Sequence, residues 1–190
     1  MRRITMLVVC TLALALCAGV AMAQEPPDTL KVDYFSNANS AGAPDGTYRI
    51  TNPGTAGGSL CAAIFVFDPS QELSECCECL VSPDGLRTLS VNTDLTGNPL
   101  TGVVLTTGVV KIISTPTKGG TCPLLPVSVT PVAGIRSWGT HIQNGGFAVT
   151  ETASQDATLS AAELKRVTGQ CFGIQLDGSK KGVCTCGTGD

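Results

Sequence analysis

Two sets of side chains in this sequence could carry chemistry. The first centres on Glu75-Cys76-Cys77-Glu78-Cys79, three cysteines in four positions. Cys61 precedes this run, and Cys122, Cys171, Cys184 and Cys186 follow it. As thiolates these sulfurs would suit a soft metal ion, but the paired C-x-x-C knuckles of zinc ribbons are missing. As oxidised pairs they would be covalent staples. The second set is His141, the one histidine of the chain, with the acidic residues Glu72, Glu75 and Glu78. A hydroxyl or thiol nucleophile needs a base, and His141 is the sole imidazole on offer. Two carboxylates held at the right separation could instead cleave a glycosidic bond.

The N-terminus decides between metal and staple. Arg2 and Arg3 supply a positive start, Met6 to Val20 is almost wholly apolar, and Ala21-Met22-Ala23 has the small-x-small form of a cleavage site. The apolar run is short for a membrane span, and Gln24-Glu25-Pro26-Pro27 after it brings no basic flank. Residues 1–23 therefore read as a signal peptide with a signal helix, and 24–190 as a single exported domain. Its expected place is secreted, periplasmic or at the bacterial cell surface, with no membrane contact after signal removal. Cys10 and Cys17 leave with the signal. The remaining even number of cysteines, in an oxidising compartment, reads as disulfides, with no metal or other cofactor expected. Loss of Arg2 and Arg3 leaves ten Lys and Arg against fifteen Asp and Glu, a net charge of −5. Such a chain has no electrostatic attraction for nucleic acid.

The elements that must position these residues read as strands. Gly, Thr, Ser and Val dominate and helical periodicity is scarce, which predicts an all-β fold, a two-sheet β-sandwich of Ig-like or related form. Leu30, Val32 and Tyr34 alternate with Lys31 and Asp33, the pattern of a half-buried strand. Tyr48 and Ile50 belong to a short one. Leu60 to Phe67 is apolar throughout and predicts a central strand covered on both faces. The cysteine run reads as the loop that follows, with Leu86 to Val91 returning from it. Ala43-Pro44-Asp45-Gly46 and Ser82-Pro83-Asp84-Gly85 have the chemistry of hairpin turns. Val103–Leu105 and Val109–Ile113 are further strand candidates. Asn144-Gly145 predicts a two-residue hairpin turn pairing Ile142 with Phe147. That register gathers Trp138, Ile142, Phe147 and Val149 on a core face and turns His141 to the outer face beside Ala148. Ser160-Ala161-Ala162-Glu163 has capping-box spacing and predicts one short helix over 160–169, with Leu164 and Val167 buried. A last hairpin about Asp177-Gly178 would set Cys171 opposite Cys184 in a non-hydrogen-bonded pair, close enough for a Cys171–Cys184 disulfide. Cys186, Cys61 and Cys122 would then take Cys76, Cys77 and Cys79, the adjacent Cys76 and Cys77 reaching different partners.

These placements argue against catalysis. An outward His141 has no nucleophile beside it, and G-x-S-x-G does not occur. Thr121-Cys122 with Arg136 and His141 superficially resembles a sortase site, but in sortases the histidine precedes the cysteine. The acidic cluster sits in a loop, with few aromatic residues for sugar stacking. The segments "ITNPGTAGGSLCAAIFVFD", "ECCEC", "GLRTLSVNTDL" and "THIQN" together resemble a set of uncharacterised, exported, cysteine-rich bacterial proteins. That resemblance implies no activity, ligand or site residue. The expected function is a secreted, non-enzymatic structural or adhesive protein, with a subunit of a surface assembly as one form of it. Its partners would be itself or other cell-surface proteins, recruited by strand addition at Leu30–Tyr34. The alternative is an extracellular ligand- or glycan-binding module, which predicts a concave patch around exposed aromatics. A hydrolase, the least supported reading, would need His141 lining a pocket beside a nucleophile.

Overall fold

The computed structural model describes residues 28–97, 102–122, 130–143, 147–176 and 184–187. The signal segment and the turns at Asn144-Gly145 and Asp177-Gly178 lie outside the described residues. The strands are β1 (Leu30–Phe35), β2 (Thr47–Thr51), β3 (Leu60–Phe67), β4 (Leu73–Val81), β5 (Leu86–Ser90), β6 (Gly108–Pro116), β7 (Arg136–Gln143), β8 (Ala148–Ala153) and β9 (Gln155–Ala157). Two helices join them, α1 (Val91–Asp94) and α2 (Ala161–Leu176). The strands form two antiparallel sheets, one ordered β4-β3-β6-β1-β9 and the other β5-β2-β7-β8. This is the expected two-sheet sandwich.

Two apolar layers hold it. Ile64, Val66, Ile112, Tyr48, Ile50 and Leu89 fill the space between the sheets. Ala63, Phe65, Phe67 and Ile113 project from the other face of the five-stranded sheet and pack on Val167, Cys171 and Ile174 of α2. The continuous apolar run of β3 is thereby explained, since all eight of its residues are buried, with Leu60, Ala62, Ile64 and Val66 between the sheets and Ala63, Phe65 and Phe67 against α2.

The cysteine run is not a loop. It is β4, hairpinned to β3 with Ile64 opposite Cys77 and Phe65 opposite Cys76. Strand alternation then sorts the sulfurs: Cys77 and Cys79 face the other sheet, while Cys76 faces α2. The disulfides are Cys61–Cys122, Cys76–Cys171, Cys77–Cys184 and Cys79–Cys186. The expected Cys171–Cys184 bond is overturned, and Cys61 and Cys122 bond to each other rather than to the run. Adjacent Cys76 and Cys77 do take different partners, and Cys186 does reach the run.

The reason for the wrong pairing is α2, which continues past 169 to Leu176 instead of yielding to a strand. Ser160 Oγ accepts the Glu163 amide at 3.1 Å, so the predicted cap is present. Val167, Cys171 and Ile174 extend the buried stripe, and a helical Cys171 meets Cys76 instead of facing Cys184.

Other readings change as well. The two Pro-Asp-Gly tetrads sit where the chain crosses between sheets, from β1 to β2 and from β4 to β5, and not at hairpins. Residues 103–105 form no strand. The β7–β8 register pairs Ile142 with Val149, two residues from expectation, and Gln143 with Ala148. The alternation of β1 is also reversed: Lys31, Asp33 and Phe35 turn toward the second sheet, while Leu30 joins the α2 layer and Tyr34 is 46% exposed. β1 lies between β6 and β9, so its outer edge is already paired over Leu30–Val32 and is not open there for strand addition.

Candidate functional site

The pairing of β9 with β1 stops at Val32. Beyond that point β7 comes alongside β1: Ser36 Oγ and Asn37 Nδ2 each donate to the Ile142 carbonyl at 2.7 Å. This seam between the two sheets carries a cleft of about 460 Å³. Asp33, Tyr34, His141, Gln143, Thr152 and Gln155 line it.

His141 is the correction that matters most here. It is 4% exposed, turned inward with Ser137 and Gly139 rather than outward, while Val149 of the expected core face is 55% exposed. Gly139 makes room for this arrangement. A Cβ there would lie 2.5 Å from Asp33 Oδ2 and 3.0 Å from Tyr48 Cζ. A glycine inside a strand marks such close approaches. In the sequence Gly139 marks such an approach without naming Asp33 as the neighbour, which only the structure identifies.

The polar groups of the seam are bonded as follows. Asp33 accepts the Tyr34 amide at 2.8 Å and the Ser154 hydroxyl at 2.9 Å. Its Oδ1 is 3.3 Å from His141 Nε2, and the same nitrogen lies 2.8 Å from Thr152 Oγ1. Nδ1 of His141 and the Tyr48 hydroxyl are buried with no protein partner. Burial first, and the Asp33 carboxylate second, hold the Tyr48 phenol in its protonated form. A proton relay needs the hydroxyl and the carboxylate on opposite nitrogens of the imidazole. Here both approach Nε2, so the cluster braces β1 against β7 and presents polar groups to the cleft without forming a relay. The Tyr34 ring, 4.3 Å from that of His141, stands at the mouth.

A second cleft, of about 380 Å³, adjoins the first across Val109, which lines both. Lys111 and Arg166 lie over the Phe67 ring at 5.2 and 4.9 Å. Both bind Glu163, and the Arg166 guanidinium, with Lys111 assisting, holds that carboxyl down at about 2. Asp68 and Gln71 complete the lining.

The other expected chemistry separates. Glu75 faces the inter-sheet core and is 6% exposed, Glu78 points to the opposite face and accepts from Thr115 Oγ1 at 2.8 Å, and Glu72 is exposed beyond the strand. Strand alternation thus keeps the carboxylates from forming a catalytic pair. Burial raises Glu75 to about 8 and pushes Glu78 up as well. Cys77, Cys79 and Cys186 have sulfurs within 4.8 Å of one another, the geometry of a metal cluster, but each is spent in a disulfide and has no thiolate to offer.

No protein-family model, curated protein or solved structure matches the chain.

Proposed function

We propose that the chain is an exported, non-enzymatic adhesive protein: a cross-braced sandwich that holds a ligand in the cleft at its seam. The observation that carries this reading is the buried His141–Asp33 pair beneath the exposed Tyr34 ring. Concave sites that combine an aromatic wall with a few fixed polar groups are the usual form of ligand sites. Export is supported by the signal-like N-terminus and by four disulfides, which persist in oxidising compartments. Among the described residues no helix is long and apolar enough to cross a membrane.

The test is a thermal-shift screen of the oxidised exported chain against small extracellular solutes, repeated on Tyr34→Ala. A ligand should raise the Tm of the parent and not of the variant. Chemical turnover of that ligand, or equal shifts in both proteins, would overturn the reading.

Association with a second copy or another surface protein belongs to β8. It ends the order of the four-stranded sheet, all six of its residues are exposed, and its outer edge pairs with no described strand. Sedimentation velocity should show a concentration-dependent dimer that Val149→Lys abolishes.

A further inference from the structure

The two clefts read separately are shallow. Read together they share a surface. Tyr34 is the cross-strand partner of Val109, and Val109 is the partner of Phe67. The three side chains therefore form one row across β1, β6 and β3 on the outer face of the five-stranded sheet. Two strand spacings make that row roughly 10 Å long. Val109, at its centre, is 38% exposed and belongs to both clefts. At the Tyr34 end Gln143 and Gln155 offer amides; at the Phe67 end Gln71, Lys111 and Arg166 offer donors and Asp68 an acceptor.

We propose that the surface running from Tyr34 over Val109 to Lys111 and Arg166, which cover the buried Phe67 ring, forms one extended binding site for a neutral oligosaccharide, with Tyr34 as the stacking platform. The inference rests on the cleft-binding reading above and adds the class of ligand. Three features select it. An exposed aromatic ring beside amides suits a molecule with an apolar face and a hydroxyl-bearing rim. The charges select a neutral molecule. Lys111 and Arg166 of the second cleft both already bind Glu163, and Asp68 adds an anion to the same lining. The exported chain is itself acidic, so an acidic polymer gains no steering toward it. The length selects a chain of sugars over a single ring, because donors stand at both ends of the row.

Titration calorimetry tests this on the oxidised exported chain. The probes are neutral glucans, mannans, galactans and xylans of one to six residues, with hexuronate oligomers of the same lengths for comparison. Affinity for at least one neutral series should rise tenfold or more between one residue and three. Tyr34→Ala should weaken every length of that series at least tenfold. Arg166→Ala, at a solvent-facing position of α2, should weaken the trimer at least tenfold. Tighter binding of hexuronates, or a trimer indifferent to Arg166→Ala, overturns the proposal. If no sugar binds while a non-sugar solute binds through Tyr34, the sugar assignment falls and the cleft-binding reading stands. If nothing binds through Tyr34, both fall.

Discussion

At the scale of single residues, this fold keeps several polar groups where water does not reach, and Glu75 is the plainest. Its carboxyl accepts the Gly97 amide, sits near Asp94, and has one oxygen buried without a partner. Burial raises it from 4.5 to about 8, so the folded state prefers the neutral acid. The contribution is complete below the unfolded value near 4.5 and is lost as pH rises through about 8. Urea melts between pH 5 and pH 8.5 should show the parent losing stability across that window. Glu75→Gln, which keeps the acceptor for Gly97 and cannot ionise, should flatten the profile and stabilise the protein by roughly 1–3 kcal/mol at pH 8. A parallel decline in parent and variant would refute the assignment. Asp33 is handled differently. Its carboxyl oxygens accept the Tyr34 amide and the Ser154 hydroxyl and stand beside His141, so they act as braced acceptors.

At the scale of elements, legibility followed the physics of each pattern. β3 was readable to the residue because a strand buried on both faces needs no alternation, and Leu60–Phe67 has none. The capping box at Ser160 was readable because it is local chemistry. The end of α2 was not, because Gly169 and Gly173 are poor helix formers and mimic a stop. Packing overrides them: the Val167, Cys171, Ile174 stripe is buried on β3 and β4, and Cys171 is bonded to Cys76. His141 was misplaced for a related reason. Alternation in β7 fixes two faces but not which one is inner, and Tyr48 with Asp33 fills the space that a small residue at Gly139 leaves. The helix permits a direct check. Neither Gly169 nor Gly173 would bring a Cβ within 4 Å of anything. Replacing either by Ala should therefore stabilise the protein by about 0.5–1 kcal/mol, measured by denaturant unfolding. Loss of stability would mean that the helix ends earlier than Leu176.

At the scale of the molecule, the four disulfides are not equivalent. Cys61–Cys122 closes a separation of 61 residues and Cys76–Cys171 one of 95. Cys77–Cys184 and Cys79–Cys186 each close 107, between the same two stretches of chain. Once one of these last two is formed, the other closes only a ring of a few residues and removes little more freedom from the unfolded chain. With Cys76–Cys171 in place, the first of the twin bridges closes a ring of roughly 16 residues through Cys171 and Cys184, worth about 3 kcal/mol in the chain-entropy account. The pair together should then give little more than one alone. The sulfurs of Cys77 and Cys79 lie 3.8 Å apart, so a lone substitution would leave a thiol poised to attack the neighbouring bridge. The clean comparison replaces both partners at once. Cys79→Ser with Cys186→Ser should cost about 1 kcal/mol, chiefly from lost packing, and Cys77→Ser with Cys184→Ser about the same. The quadruple variant should exceed their sum by about 3 kcal/mol, because residues 184–187 then lose their covalent hold on β4. Additive costs across the three proteins, read from denaturant midpoints and slopes, would show that the twin bridges act as independent staples and would refute the redundancy.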